Sequence, residues 1–147
     1  MGTIEERMER YVEKCRQAGL KATHQRTEIL RQLATTKGHP DVETIFMRVR
    51  KSIPTISLDT VYRTLRTMEE NGVIARIGPL GERSRFDANT VAHFHFICLE
   101  CDQIEDFDSN SLSSIPPPPE ATQLGHVDQL YIEARGLCRK CRSEKSK

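Results

Sequence analysis

Apolar side chains recur at helical spacing through the first half of the chain. Met8, Tyr11, Val12 and Cys15 form one stripe, with Gly19 following as a helix stop. Thr23 is placed to cap a second helix that turns Ile29, Leu30 and Leu33 inward, and Asp41, after Pro40, opens a third with Val42, Ile45, Phe46 and Val49 on its buried face. Ser57 caps a fourth, whose expected buried positions are Leu58, Val61, Leu65 and Met68 and which Gly72 closes. The period then shortens. Val73-Ile74-Ala75-Arg76-Ile77 and Arg83-Ser84-Arg85-Phe86 flank Gly78-Pro79-Leu80-Gly81 and read as two strands around a turn. Helices followed by such a hairpin make a winged helix-turn-helix pattern. Beyond Asp87, strands are expected over 93–98, 103–107 and 130–135. Pro116-Pro117-Pro118-Pro119 cannot lie inside a helix, because each proline lacks the N–H and clashes with the preceding turn. The segment 109–115 therefore makes at most two helical turns. The expected fold is α+β: an N-terminal winged helix-turn-helix domain over 1–87, then a small α/β domain over 88–147.

The chain has 147 residues, of which 37% are hydrophobic, which allows two small cores and excludes a large catalytic barrel. No apolar run of membrane-spanning length occurs, and the first 16 residues are charged throughout, so a cytoplasmic protein with no membrane partner is expected. The net charge of +1 hides an asymmetry. Through Asp87 there are 16 basic and 12 acidic residues, and after it 6 basic and 9 acidic, which suggests two modules with different partners. On a helical wheel the fourth helix gathers Asp59, Tyr62, Arg63 and Arg66 on an outward face. Guanidinium groups that can grip guanine edges or phosphate, beside an aromatic ring, suit a helix lying in the major groove. The same composition also fits an ordinary solvated face. Lys21, Arg26, Arg83 and Arg85 are candidates for holding the phosphate backbone.

Four of the five cysteines fall into two Cys-x-x-Cys pairs, Cys98/Cys101 and Cys138/Cys141. Four thiolates can close a tetrahedral shell around zinc, leaving no open position, so such a site is structural. A redox dithiol would need only one pair and a surrounding βαβ pattern, which is missing here. Cys15, inside an apolar stripe, reads as an ordinary buried cysteine. His93 and His95, two apart in an expected strand, leave the same face, a geometry that suits two ligands on one metal but that strand alternation alone also explains. Their company is Asp87 at the end of the hairpin, Asp106 near the end of the next strand, and His39 before Pro40.

The stretch Pro54-Thr55-Ile56-Ser57-Leu58-Asp59-Thr60-Val61-Tyr62-Arg63-Thr64-Leu65, followed by Glu70-Asn71-Gly72-Val73-Ile74, resembles the recognition-helix signature of the ferric uptake regulator family. Gly19-Leu20-Lys21-Ala22-Thr23-His24-Gln25-Arg26 resembles that family's opening helix-turn segment, with His24 where a proline is common. The resemblance implies a homodimeric repressor on a palindromic double-stranded DNA operator, the second domain being the dimerisation domain. The DNA-facing set would be Ser57, Asp59, Thr60, Tyr62, Arg63 and Arg66, with Lys21 and Arg26. It implies structural zinc on Cys98, Cys101, Cys138 and Cys141, and a regulatory metal on His39, Asp87, His93, His95 and Asp106. Three imidazoles and two carboxylates without sulfur suit Fe(II) or Mn(II). At the position of Asp106 a glutamate is typical of uptake regulators, whereas aspartate resembles the peroxide-sensing branch. In that branch Fe(II)-catalysed oxidation of a ligand histidine releases DNA, and the matching targets here are His39 and His93. The alternative is a regulator of iron, manganese or zinc uptake with no oxidation step. A third class, a metallohydrolase, is disfavoured because five protein ligands leave little room for substrate, and the His-x-Glu and Pro-Cys-x-x-Cys pattern of zinc deaminases is absent. Two departures stand out. Leu130 takes the place of a histidine used for a further metal site in many members, so no complete third site is expected and His126 reads as a surface or supporting residue. The tetraproline falls where a longer dimerisation helix is usual, implying a smaller or rearranged interface.

Overall fold

Side-chain caps begin each of the four helices in the first half. In the computed structural model, which describes residues 2–36, 38–77, 84–89, 93–128 and 130–146, the chain divides into two units, Met1–Thr90 and Val91–Lys147. The turn Gly78-Pro79-Leu80-Gly81 and Arg83 lie outside the described residues. Helix α1 (Ile4–Gln17) opens with a reciprocal capping box between Thr3 and Glu6, a signal the hydrophobic pattern does not carry. Thr23, Asp41 and Ser57 cap α2 (His24–Thr35), α3 (Val42–Ser52) and α4 (Leu58–Glu70).

Helices α1 and α4 end alike. After α4, Gly72 at φ +72° returns its N–H to the Glu69 carbonyl and Val73 donates to Met68, while after α1, Gly19 and Leu20 repeat the pattern on Arg16 and Cys15. Both are paired terminal bonds that need a left-handed residue, which glycine adopts at least cost. The core between the helices contains Cys15, Ile29, Leu30, Ile45, Val49, Val61, Leu65 and Met68, all fully or almost fully buried.

Leu58 departs from expectation, being 43% exposed. Ile56, just before the cap, is buried in its stead and shares the core cluster with Val61, the fourth residue of α4. A residue before the cap packing with one in the second turn fixes how the chain enters a helix, and it leaves the first-turn leucine facing outward. The first strand of the hairpin also starts later than expected. Val73 and Ile74 are buried in the core, and among the described residues β1 (Ala75–Ile77) pairs antiparallel with β2 (Arg85–Asp87), with Arg76 opposite Phe86.

In the second unit β3 (Phe94–Cys98) is the central strand. It pairs antiparallel with β4 (Ile104–Phe107) and parallel with β5 (Glu133–Gly136). Leu130 and Tyr131 stay outside β5 and exposed. Between β4 and β5 lie two single-turn helices, α5 (Asn110–Ser113) and α6 (Pro119–Thr122). The last proline of the tetraproline thus opens a helix, at the first position, where its missing N–H has no partner to lose. Helix α7 (Arg139–Lys145), capped by Cys138, is an element the hydrophobic pattern does not signal. No described helix is long and apolar enough to cross a membrane.

Candidate metal centres and DNA-reading face

The two Cys-x-x-Cys pairs are delivered by one sheet. Cys98 ends β3, and the turn after it is closed by the Asp102 N–H donating to the Cys98 carbonyl at 3.0 Å, with Asp102 itself left-handed at φ +60°. Parallel pairing sets Gly136 beside Cys98, so the chain leaving β5 reaches the same end of the sheet, where Cys138 caps α7 and Cys141 sits in its first turn. One sulfur from each cysteine lies within 4.8 Å of all the others. Cys101 Sγ and Cys138 Sγ are 3.9 Å apart, close to the edge of about 3.8 Å that a tetrahedron with Zn–S bonds of about 2.3 Å requires. Backbone N–H groups already point at the sulfurs: Cys138 donates to Cys98 Sγ and Cys141 to Cys138 Sγ, both at 3.4 Å. Such donors, from Cys101 first and Cys138 next, push the Cys98 thiol down to about 6. A hydrogen bond with the neighbouring Cys138 sulfur, followed by burial, pushes the Cys141 thiol up. Four sulfurs at these separations can close a tetrahedral shell around a dication, so the donor set fits zinc. No disulfide forms, and Cys15 is buried elsewhere, in the helical core.

Within the first unit, His39 and Asp87 are buried and adjacent, with Nδ1 and Oδ2 3.8 Å apart. Their proximity follows from a strap between the loop before α3 and strand β2. The Phe86 N–H donates to the Pro40 carbonyl at 3.1 Å, the Arg85 guanidinium donates to the His39 carbonyl, and Asp41 bridges to Arg85. Asp87 Oδ1 also accepts the Asn89 N–H at 2.8 Å. Within the second unit, His95 stands directly opposite Asp106 on the β3–β4 ladder, Nε2 to Oδ1 3.4 Å. His93, just before β3, meets the His95 ring edge-on with centroids 4.6 Å apart. Strand alternation accounts for both rings leaving one face. His126 is exposed and pairs with Asp128 at 3.3 Å.

On α4, Asp59, Tyr62, Arg63 and Arg66 are exposed. Ser57 and Thr60 are engaged with each other: the Ser57 hydroxyl accepts the Thr60 N–H at 3.1 Å and lies 2.8 Å from its hydroxyl. Lys21 is exposed, and its carbonyl holds the half-buried Arg26 guanidinium at 2.9 Å.

A model of the ferric uptake regulator family matches residues 17–125. The chain belongs to that family. It is 32% identical over 142 residues to the peroxide-responsive repressor PerR of Staphylococcus aureus, covering 97% of this chain and 96% of the relative. The fold is similar to the Campylobacter jejuni peroxide stress regulator (TM-score 0.66, 26% identity, 96% of this chain and 100% of that one). It is also similar to a zinc-bound manganese uptake regulator (TM-score 0.61, 30% identity, 87% and 98%). Members of the ferric uptake regulator family are metal-responsive transcriptional regulators, not enzymes.

In this family member, one group of neighbours beside α4 has no signal along the sequence. Arg76 of β1 donates twice to Glu69 of α4, at 2.8 and 3.0 Å, reaches the Ser84 hydroxyl at 3.4 Å and lies over the Phe86 ring. It ties the hairpin to the C-terminal end of the outward-facing helix, and only the folded hairpin brings these residues together. Asp87 also acts on α1: burial pushes the Tyr11 phenol up, and the Asp87 charge adds to that shift.

Proposed function

We propose that this chain is a metal-dependent, homodimeric transcriptional repressor that reads a palindromic DNA operator through α4 and senses hydrogen peroxide by oxidation of a ligand histidine. In this reading residues 1–87 bind DNA and residues 88–147 bind metal and dimerise. Cys98, Cys101, Cys138 and Cys141 hold structural zinc. His39 and Asp87 from the first unit, with His93, His95 and Asp106 from the second, hold Fe(II) or Mn(II). The observation that carries the reading is Asp106 paired across the ladder with His95, beside His93: an all-nitrogen and carboxylate set suited to Fe(II) or Mn(II), with aspartate at the position that resembles the peroxide-sensing branch. Extended similarity to a peroxide-responsive repressor supports it.

Bound Fe(II) would supply the electron that splits hydrogen peroxide beside its ligands. His39 and His93 then serve as the oxidation targets, with peroxide as the two-electron oxidant overall: one of its oxygens enters the imidazole and the other leaves as water. His95, oriented by Asp106, and Asp87, held by the Asn89 N–H, keep the remaining donors in place. Because the ligands come from both units, occupancy is coupled to the conformation that binds DNA, and loss of one histidine weakens both together. Zinc-bound thiolates in a closed shell are poor peroxide sensors by comparison.

Similarity to the manganese uptake regulator favours a second reading, a metal-uptake regulator with no oxidation step. The two separate in one experiment. A duplex selected from a random pool is titrated with zinc-replete protein carrying Fe(II) or Mn(II), before and after stoichiometric peroxide, with mass spectrometry of the peptides containing His39 and His93. Loss of binding with iron alone, together with an added oxygen on either histidine, is expected. Retained binding with unmodified histidines establishes the second reading.

A further inference from the structure

The face that α4 turns to solvent is electrically balanced, not basic. Arg63 is 75% exposed, and its Nη2 lies 2.8 Å from Oδ2 of Asp59, one turn toward the N-terminus. Arg66 is 68% exposed, and its Nε lies 3.0 Å from Oε1 of Glu70, one turn toward the C-terminus. Both carboxylates are themselves open to solvent, at 73% and 60%. Exposed pairs of this kind contribute little to helix stability, so the fold does not require four charges there. A helix that held DNA by charge alone would keep the arginines and omit the acids. Each carboxylate brought near phosphates cancels part of the positive charge whose counterion release supplies sequence-independent affinity. What a carboxylate can accept in the major groove is an exocyclic amine, such as that of cytosine.

We propose that Asp59 and Glu70 are specificity-determining residues of the DNA-reading face: they neutralise Arg63 and Arg66 toward phosphate, so the helix binds only where base edges replace the carboxylates as partners of the guanidinium groups. This rests on the reading of the chain as a DNA-binding repressor. At a matching site a guanine edge takes a guanidinium, and the released Asp59 turns to an amine. At any other site the pairs stay shut and the acids repel the backbone, so discrimination comes from a built-in penalty as well as from new contacts. Asp59 is also the second residue of α4, where the helix dipole welcomes an acid. That structural role predicts a change in melting temperature and none in DNA preference.

The test uses full-length, zinc-replete, Mn(II)-loaded protein and its Asp59→Asn, Glu70→Gln and Asp59→Glu variants. Binding by fluorescence anisotropy is compared between a duplex selected by the wild type and a shuffled duplex, across a salt series. The Asn and Gln variants are expected to bind the shuffled duplex roughly 3- to 10-fold more tightly, to show a salt slope steeper by about one per chain, and to lose preference for the selected duplex. Asp59→Glu, which keeps the charge, is expected to keep the preference. Unchanged preference and salt slope in both neutralised variants overturn the proposal while leaving DNA binding intact. A wild type that selects no duplex at all overturns the repressor reading and this proposal with it.

Discussion

Asp41 caps α3 through a 2.8 Å bond from the Thr44 N–H. Burial pushes its carboxyl up, but hydrogen bonds from Thr44 outweigh that and hold it below the ordinary aspartate value. A depressed native pKa means the charged cap stabilises fully above the unfolded-state value, and that the contribution is lost as pH falls through the native value. Asp41→Ala is therefore expected to cost about 1 kcal/mol near neutral pH in urea denaturation. The gap between variant and wild type should close as pH drops below about 4; a gap that widens in acid contradicts the assignment. Cys15 is fully buried, and burial also raises its thiol. Iodoacetamide at neutral pH should leave it unlabelled in the folded protein and label it only after denaturation, read by peptide mass spectrometry. Both residues were recognisable as sequence: Asp41 follows a proline and precedes an apolar stripe, and Cys15 lies within one.

At the scale of elements, α4 joins a buried stripe of Val61, Leu65 and Met68 to an outward face whose arginines project from a helix fixed at both ends. Ser57 sets its start, and the paired bonds around Gly72 set its stop. If this face reads DNA, Arg63→Ala should weaken binding to the selected duplex by about 1 to 3 kcal/mol, or roughly 5- to 150-fold, with zinc content and melting temperature unchanged. An equal affinity in the variant would place the reading surface elsewhere. Local rules go far here, because a helix's caps and its 3.6-residue period are short-range. They fail at Leu58, which the wheel buries and the chain's entry angle exposes. They fail again at Arg76 and Glu69, whose meeting depends on the direction the chain takes after Gly72.

The two units differ in what holds each together. The first has a continuous helical core, whereas among the described residues of the second only Ile97, Cys98 and Cys141 are buried apolar side chains. If four thiolates and zinc supply the missing stabilisation, chelation should disorder the second unit while leaving the first helical. Limited proteolysis is then expected to begin within 91–147, with most helical circular dichroism retained. A metal-free protein whose second unit stays protected would show that its sheet suffices alone. Periodicity, caps and breakers determined the helices of the first unit and the presence of strands in the second, because these depend on neighbours a few residues away. The spacing of the cysteines marked them as a set. That Cys98 and Cys138 meet was decided by the parallel pairing of β3 with β5, and that His95 faces Asp106 by the β3–β4 register. The closeness of His39 to Asp87 was decided by a backbone bond and a side-chain bond between a loop and a strand more than 40 residues apart. Long-range pairing pays its loop-closure entropy only when the whole unit folds, so no local pattern in the sequence records which partners it will bring together.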